Sequence, residues 1–176
     1  MDNVILDLDD FAENKENSEE CLQLLLEQKS KFPNLKVTLF AIPYYLNKDN
    51  STFFHSIKYD WIQFAIHGFY HHLNECTLWD YNTALQNIQT AYNMGCFVKG
   101  FKAPNYRINK GTIEALNDLG FWVDELEKES KRSYNNHPWR VHGHTWNAWN
   151  GIKQVIERNL WNENTKFHFI NDIMEK

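Results

Sequence analysis

The sequence predicts an α/β fold, more specifically a compact, distorted (β/α) barrel with about seven parallel strands. Short apolar runs alternate with helical patterns along the whole chain, and no repeat or Gly/Ser linker interrupts them. Strands that alternate with helices form βαβ units, which build parallel sheets with right-handed crossovers. A chain of 176 residues fits one domain, so we expect a single domain over residues 1–176. An open doubly wound sheet is the alternative, because alternation alone does not separate the two folds.

The first half of the chain predicts three strands and two helices. We expect strands over residues 4–6, 36–42 and 61–66, and helices over residues 18–32 and 77–94. The strands are rich in β-branched and aromatic residues, and the helices carry apolar residues at every third or fourth position. Asn17 and Glu20 are spaced as a cap and capping-box partner of the first helix, and Gly95 is placed to end the second.

The second half continues the same alternation. We expect strands over residues 98–102, 121–124, 139–145 and 165–170, and helices over residues 110–119 and 151–160. Residues 125–136 are polar and without periodicity, which is typical of a loop. Together with the first half this gives seven candidate strands, which favours a compact β/α barrel that need not be complete.

Composition and charge exclude several classes of function. The net charge is −5 and no Lys/Arg cluster occurs, so we expect no nucleic-acid partner. The longest apolar runs are too short to cross a bilayer, so we expect no membrane span. Met1 precedes Asp2 and Asn3 instead of a basic and apolar leader, so no signal peptide is seen and we expect a cytoplasmic protein. Abundant Asn and Lys indicate an AT-rich genome, microbial or viral.

Reactive side chains follow four of the predicted strands. They are Asp9 and Asp10, His67 and His71, Lys102, and His142 and His144. In α/β folds the carboxyl ends of the strands meet on one side and form the ligand site. Each element alone is more often structural, since acid pairs are common in loops and an H-x-x-x-H spacing also occurs on surface turns. Their joint occurrence at strand ends favours a functional site.

These residue types suit metal-assisted hydrolysis. One carboxylate and two imidazoles form a three-ligand set that leaves metal positions open for water and substrate. A second carboxylate can then take a proton from the metal-bound water. A histidine across the cleft can protonate the leaving group.

Four motifs, taken in order, resemble the polysaccharide deacetylase, or NodB-homology, family. They are D-L-D-D-F (residues 7–11), H-G-F-Y-H (67–71), G-F-K-A-P-N-Y (100–106) and V-H-G-H-T-W (141–146). The family motifs are T-F-D-D-G, H-[ST]-x-x-H, R-x-P-[FY] and a late strand that ends in a histidine. The segments A-I-P (41–43) and G-F-W-V-D (120–124) are also similar to family features. The chain is therefore similar to a short, divergent member of this family.

The resemblance implies metal-dependent hydrolysis of an amide C–N bond, with N-deacetylation of an acetylated amino sugar or polysaccharide as the expected reaction. By the resemblance, Asp10, His67 and His71 hold one divalent metal ion, for which Zn²⁺ is expected, and Asp9 is the general base. It also implies an oxyanion contact from a backbone N–H near residues 104–105. His144 is the expected general acid, with His142 on the same strand face as the alternative.

Two residues depart from the family motifs. Lys102 stands where the family usually has Arg, so a bidentate clamp on the catalytic Asp becomes a point charge. Phe11 replaces a Gly and is expected to narrow the approach to the metal. Two alternatives therefore stay open: a hydrolase of a cyclic or other non-carbohydrate amide, and a metal-binding pseudo-enzyme of the same fold. A small-molecule or carbohydrate substrate is expected as the partner, and the sequence does not predict the oligomeric state.

Overall fold

The structure is a computed structural model that describes residues 3–15, 17–125, 130–131, 133, 139–146, 150–158 and 161–174. Its strands are β1 (Asn3–Phe11), β2 (Val37–Ala41), β3 (Tyr44–Tyr45), β4 (Lys48–Asp49), β5 (Ile62–His67), β6 (Phe97–Lys102), β7 (Trp122–Asp124), β8 (Arg140–His144) and β9 (Lys166–His168). Its helices are α1 (Ser18–Lys31), α2 (Ser51–Ser56), α3 (Glu75–Leu78), α4 (Tyr81–Tyr92), α5 (Lys110–Asp118), α6 (Ile152–Arg158) and α7 (Asn171–Met174). A 3₁₀ turn covers Pro104–Tyr106.

Seven parallel strands form one curled sheet in the order β7-β6-β5-β2-β1-β8, with β9 paired to the first residues of β1. The strands β7 and β8 stand at the two ends of this order, and no backbone ladder joins them in the described part of the chain. The sheet is thus a half-closed barrel, and the predicted distorted (β/α) barrel with about seven parallel strands is confirmed. The short antiparallel pair of β3 and β4 lies outside the main sheet and was not expected from the sequence.

Alternate residues of each strand face the helices or the barrel interior. On β1, the residues Val4, Leu6 and Leu8 face outward and join the main hydrophobic core, to which α1 contributes Cys21 and Leu25. Burial of these apolar side chains supplies most of the favourable free energy of folding. It also holds the inward-facing residues of the same strands in fixed positions.

The barrel interior has two layers. The layer near the amino ends of the strands is apolar and contains Ile5, Phe40, Ala65, Trp122 and Ile170. The layer above it is ionic and contains Asp7, Lys102, Asp124 and Arg140. Gly100 of β6 makes the lower layer possible, because a Cβ at this position would lie 2.0 Å from the indole ring of Trp122.

The elements differ from the sequence predictions at their ends. The first strand runs through the acidic residues to Phe11 instead of ending before them. The helix expected over residues 77–94 is two helices, because Asp80 accepts a hydrogen bond from the backbone N–H of Thr83 and starts α4. Asn17 adopts a left-handed conformation with φ of 63° and makes no side-chain cap, so the predicted capping box is wrong. Most of the predicted loop 125–136 and the end of the predicted helix 151–160 lie outside the described residues.

All of the described helices are short. The longest, α1, has 14 residues, and it is acidic at its first turn and basic at its last. Among the described residues, no helix combines the length and the apolar character that crossing a membrane requires.

Candidate active site

The side chains that the sequence singled out surround one cavity at the carboxyl ends of the strands. The cavity has a volume of about 410 Å³, in the range of small-molecule sites. Its lining residues are Asp9, Asp10, His67, His71, Asn105, Tyr106, His142, His144, Trp146 and Asn150. Lys102 is not exposed to the cavity and lies fully buried behind Asp9.

Asp9 and Asp10 both reach the cavity although they are neighbours in a strand. Successive strand residues normally point to opposite faces. Here the register between β1 and β2 shifts between Leu8 and Phe11, and Asp10 has a φ of 74°. The resulting bulge turns the Asp10 carboxylate back towards the cavity.

The same bulge sends Phe11 to the outer face of the sheet. Its ring is fully buried and packs against the rings of Phe53, Phe54 and Phe64. The expectation that Phe11 narrows the approach to a metal is therefore wrong. The large side chain is accommodated in the hydrophobic core, where it adds apolar burial.

Asp10, His67 and His71 converge on one point. The Oδ1 atom of Asp10 lies 2.6 Å from Nε2 of His71 and 3.5 Å from Nε2 of His67. The other carboxylate oxygen of Asp10 accepts a hydrogen bond of 2.7 Å from the indole N–H of Trp146. The side chain that donates this bond comes from the segment directly after β8, so β8 helps to orient the carboxylate.

The tautomer of His67 follows from its buried neighbour. Its Nδ1 atom lies 3.0 Å from the backbone carbonyl oxygen of Lys102, which can only accept a hydrogen bond. Nδ1 must therefore carry the hydrogen, and in the neutral ring the lone pair is on Nε2, facing Asp10. Orientation of a ligating imidazole by a hydrogen bond to its other nitrogen is typical of metal sites.

Glu75 holds the loop that carries His71, a role the sequence analysis missed. Its buried carboxylate accepts hydrogen bonds from the backbone N–H groups of Phe69, Tyr70 and His71, at 2.8, 3.0 and 3.1 Å. Gly68 makes this possible, since a Cβ there would lie 1.9 Å from Oε1 of Glu75. No local sequence pattern predicts these hydrogen bonds, because in the sequence Glu75 resembles any acidic residue in the first turn of a helix.

Lys102 is the cation behind Asp9, and it has more partners than the sequence indicated. Its ammonium nitrogen lies 2.7 Å from Asp9 Oδ1, 2.9 Å from Asp7 Oδ1 and 2.9 Å from Asp124 Oδ2. Burial by itself would lower the pKa of Lys102, but the carboxylates of Asp124, Asp7 and Asp9 outweigh it and raise the pKa. The ammonium is therefore charged at neutral pH.

The same charges keep Asp9 ionised. Burial would raise the pKa of Asp9, but Lys102, His142 and His67 together lower it below its ordinary value. One oxygen of Asp9 is bound to Lys102, while Oδ2 faces the cavity, 3.9 Å from Nε2 of His67. A carboxylate that is ionised, desolvated and open on one side can accept a proton from a water molecule.

Arg140 is a second buried cation, and the sequence analysis missed it. It donates to both oxygens of Asp7, through Nε at 2.9 Å and Nη2 at 3.2 Å. It also donates to both oxygens of Asp124, at 3.1 and 2.8 Å, and to the hydroxyl of Tyr106 at 3.0 Å. The missing signal was strand alternation: Arg140 lies two residues before His142, and therefore on the same face of β8.

His142 and His144 both line the cavity from β8. Nδ1 of His142 lies 2.7 Å from Asp7 Oδ1, and its Nε2 lies 3.8 Å from Asp9 Oδ2. The ring of His144 stacks obliquely on Trp146, with ring centres 4.8 Å apart. Burial lowers the pKa of His144 in spite of the nearby carboxylates of Asp9 and Asp10.

The residues at Asp10 fit a divalent metal ion. Among the described residues, Oδ1 of Asp10 is buried and has no hydrogen bond of acceptable geometry, although two imidazole nitrogens face it. These three ligand atoms all lie within 4.8 Å of one another. A carboxylate and two histidine nitrogens form a donor set that suits Zn²⁺ and similar ions. The donor set does not distinguish among these ions.

Solved structures that match the fold over nearly the whole chain include two carbohydrate-modifying enzymes. One is a family 4 acetyl xylan esterase from Clostridium thermocellum in complex with a cobalt ion, with 12% identity, a TM-score of 0.67, and coverage of 98% of this chain and 90% of that chain. The other is a chitin deacetylase from Colletotrichum lindemuthianum, with 12% identity, a TM-score of 0.66, and coverage of 98% and 87%. At this identity the likeness concerns the fold.

Other matches are partial. A family 4 pseudoenzyme from Bacillus anthracis matches with 18% identity and a TM-score of 0.54, over 69% of this chain and 42% of that chain. The chain spans 61% of a family 4 carbohydrate esterase from Streptomyces lividans, at 19% identity and a TM-score of 0.51 over 69% of this chain. No protein-family model matches the sequence, and no curated protein matches it. The chain thus has the fold of the family 4 carbohydrate esterases and chitin deacetylases, which confirms at the level of the fold the resemblance to polysaccharide deacetylases.

Proposed function

We propose that the chain is a metal-dependent hydrolase of the polysaccharide-deacetylase type, which removes the acetyl group from the nitrogen of an acetylated amino sugar or polysaccharide. One observation carries the proposal. The three-atom cluster of Asp10, His67 and His71 lies directly beside Asp9, a carboxylate that Lys102 keeps ionised. The fold shared with carbohydrate esterases and a chitin deacetylase supports the same reaction class.

Asp10, His67 and His71 would hold the ion, which supplies Lewis-acid polarisation of the carbonyl group and a bound water of lowered pKa. Asp9 acts beside this set as the general base. Its Oδ2 atom faces the cavity and takes a proton from the attacking water, while Oδ1 accepts a hydrogen bond from Lys102, whose charge keeps the carboxylate ionised. Lys102 is therefore a positioning residue: it is fully buried and acts on the reaction through Asp9.

The remaining tasks fall to residues on the other side of the cavity. An imidazole of β8, His142 or His144, returns a proton to the nitrogen as the C–N bond breaks. Asn105 lines the cavity at the start of the turn after β6, where the resemblance expects a backbone N–H to stabilise the oxyanion. Tyr106 and Trp146 supply aromatic surface for the substrate.

A pseudo-enzyme is the second candidate, because a family 4 pseudoenzyme shares this fold. The fold alone therefore does not establish turnover. Two observations favour an enzyme: the ion pair between Lys102 and Asp9 is formed at 2.7 Å, and Phe11 leaves the cavity unobstructed. Both departures from the family motifs are thus accommodated without loss of the proposed base or ligands.

The proposal is tested by metal content and acetate release in parallel. Purified protein should bind about one divalent ion per chain by elemental mass spectrometry, and should release acetate from N-acetylglucosamine oligosaccharides. Asp10→Ala should lose the ion. Asp9→Asn should keep it while turnover falls by about 10²–10⁴-fold, because only the base is removed.

His55 offers a matched control, since its ring contacts the backbone of Met94 outside the cavity. The His55→Ala protein should keep both metal and turnover. Full metal content in a His67→Ala/His71→Ala double variant would refute the ligand set. Metal binding without acetate release from any sugar, but with hydrolysis of other amides, would point to the non-carbohydrate alternative.

A further inference from the structure

We infer that Asp7 is a positioning residue for His142, and that His142 instead of His144 delivers the proton to the departing nitrogen. This inference rests on the proposed hydrolytic function and assigns its acid. The related motif has Thr where this chain has Asp7, so the motif itself gives no role to a carboxylate at this position.

The register between β1 and β8 brings the two residues together. Asp7 pairs with His142 and Asp9 pairs with His144, and all four face the barrel interior. Oδ1 of Asp7 lies 2.7 Å from Nδ1 of His142. The ring is thereby turned so that its Nε2 faces the cavity, 3.8 Å from Oδ2 of the proposed base Asp9.

The surroundings of Asp7 keep its carboxylate ionised, so that it can only accept hydrogen bonds. It is fully buried and bound by Arg140 at 2.9 and 3.2 Å and by Lys102 at 2.9 Å. Burial would raise its pKa, but Arg140, Lys102 and His142 hold the pKa well below the ordinary value. Because a carboxylate can only accept, Nδ1 of His142 must be the donor. Nε2 is then the nitrogen that gives or takes a proton at the cavity, as in other Asp-oriented histidines.

His144 lacks an equivalent partner. In the described part of the chain its Nδ1 atom is buried and makes no hydrogen bond. No hydrogen bond to a carboxylate therefore fixes its tautomer, and burial lowers its pKa in spite of the charges of Asp9 and Asp10. Contact with the Trp146 ring fits a role in shaping the cavity wall.

Asp9, His142 and His144 also lie close enough to be considered as a second ion site. The charges around them argue against it. The ammonium of Lys102 lies 2.7 Å from Asp9 and 3.5 Å from Nδ1 of His142, and would repel a cation there. Proton transfer is the use of this cluster that the charges allow.

The proton balance of the reaction is then complete. Water adds to the acetyl carbon and gives one proton to Asp9, so that a C–O bond forms. As the C–N bond breaks, Nε2–H of His142 gives its proton to the nitrogen, which leaves as an amine. The products are the amine and acetic acid, which releases the second proton of the water to solvent and becomes acetate. Solvent then takes the proton from Asp9 and restores the one on His142.

Leaving-group dependence tests this assignment. An amide nitrogen must be protonated to leave, whereas 4-nitrophenolate leaves from 4-nitrophenyl acetate without a proton. We expect His142→Gln and Asp7→Asn to reduce kcat on an N-acetylglucosamine oligosaccharide by about 10²–10⁴-fold. On 4-nitrophenyl acetate the same variants should lose less than about tenfold. His168→Gln, which changes a histidine bonded to Asn3 far from the cavity, is the matched control and should change neither rate.

The opposite pattern overturns the assignment. If His144→Gln shows the leaving-group-selective loss and His142→Gln does not, His144 is the acid. Equal losses on both substrates for His142→Gln would mean that His142 shapes the site and transfers no proton. A second metal ion per chain that is lost in His142→Gln would show an ion site instead.

An NMR measurement separates this inference from the proposed function. Nitrogen-15 spectra of the wild-type protein should show His142 with its hydrogen on Nδ1, and Asp7→Asn should disturb that signal. The measurement does not depend on catalytic activity. The tautomer of His142 in the wild-type spectrum tests the positioning role even if Asp7→Asn does not fold. A hydrogen on Nε2 alone in the resting neutral ring would refute the positioning role. Correct NMR behaviour in a protein that hydrolyses neither substrate would refute the proposed function and the acid role, but leave the positioning intact.

Discussion

The two layers of the barrel interior lie on the same strands, two residues apart, and are held by opposite kinds of force. In the lower layer Ile5 and Trp122 pack against apolar neighbours. In the upper layer the next inward residues on these strands, Asp7 and Asp124, are fully buried carboxylates paired to cations. The ring of Phe40 separates the layers and lies 4.0 Å below the ammonium of Lys102. A strand position therefore tolerates a charge only where its partners come from other strands.

The comparison shows that the residues at the proposed site carry a desolvation cost that the apolar layer does not. The lower layer is stabilised by burial and close packing, which need only the right volume. The upper layer must desolvate several charges, and such clusters are retained when each charge is fully paired. Three carboxylates, Asp7, Asp9 and Asp124, share the cations Lys102 and Arg140. The lower layer therefore contributes stability, and the upper layer uses part of it to hold the site.

Removal of a cation from the upper layer should have the largest effect. Lys102→Met leaves the three carboxylates of this layer with Arg140 as their remaining permanently charged partner. We expect the free energy of unfolding to fall by about 3–5 kcal/mol. Denaturant titration measures this loss. Lys110→Met, which changes an exposed lysine of α5, should stay within about 0.5 kcal/mol of wild type. Comparable losses for the two variants would mean that the ionic layer is not specially dependent on its charges.

Lys102→Arg sharpens the same comparison by keeping the charge and changing the shape. The sequence alone suggests that Arg would restore a missing clamp. In the structure Arg140 already supplies bidentate bonds to Asp7, and Lys102 has no exposed surface. We therefore expect the larger guanidinium to destabilise by about 1–3 kcal/mol through overpacking, without a gain in turnover. A faster and equally stable variant would contradict this view of the layer.

Overpacking the lower layer should have an intermediate effect. Gly100→Ala places a Cβ against the ring of Trp122, and we expect a loss of about 1–3 kcal/mol with unchanged metal content. Gly111→Ala is the matched control, because its Cβ would find only ordinary contacts at the start of α5. That variant should be neutral or slightly more stable. Loss of metal in Gly100→Ala would show that the two layers are not independent.

The smallest effect concerns acid sensitivity. The pKa of Asp7 is held well below its ordinary value, so its contribution to stability is present above about pH 4 and is lost as pH falls further. One such carboxylate changes the free energy of unfolding by at most about 1.4 kcal/mol per pH unit. Denaturant titrations between about pH 5 and pH 3 should therefore show a shallower decline for Asp7→Asn than for wild type.

Asp172 offers a surface counterpart, since its pKa is also lowered but its partner Lys36 is partly exposed. Asp172→Asn should change the slope less than Asp7→Asn, because solvent screens the surface pair. Parallel acid profiles for Asp7→Asn and wild type would mean that Asp7 is not ionised in the folded protein.

The sequence predicted the alternation of strands and helices well, because the spacing of apolar residues that is typical of each depends only on neighbouring residues. It failed at β1, where Asp7, Asp9 and Asp10 read as the end of a strand. Lys102, which binds Asp7 and Asp9, and Arg140, which binds Asp7, are about 90 to 130 residues away from them, so no local pattern could show that these acids are buried and paired. Asn17 failed as a cap because its backbone is left-handed, which the residue type and its spacing do not reveal.

The site was predictable to the extent that it depends on strand ends. The structure brings Asp9, Asp10, His67 and His71 together at the cavity wall, with Lys102 buried behind Asp9, as the motif order suggested. Their catalytic and ligand roles stay predictions. Glu75 and Arg140 were missed because they act on backbone groups and on other side chains. Arg140 could have been found by counting back along its strand from His142.

The bidentate contact between Arg140 and Asp124 joins β8 to β7, two strands that no backbone ladder connects within the described residues. The two side chains thus connect the two edge strands across the open side of the barrel. The guanidinium of Arg140 also binds Asp7. A change that weakens its contact with Asp124 should therefore also alter the position of His142 at the cavity. Hydrogen exchange at β7 and β8 should therefore accelerate together when the ionic layer is perturbed. The ionic layer that joins the two edges of the barrel therefore also contacts Asp9, the proposed base.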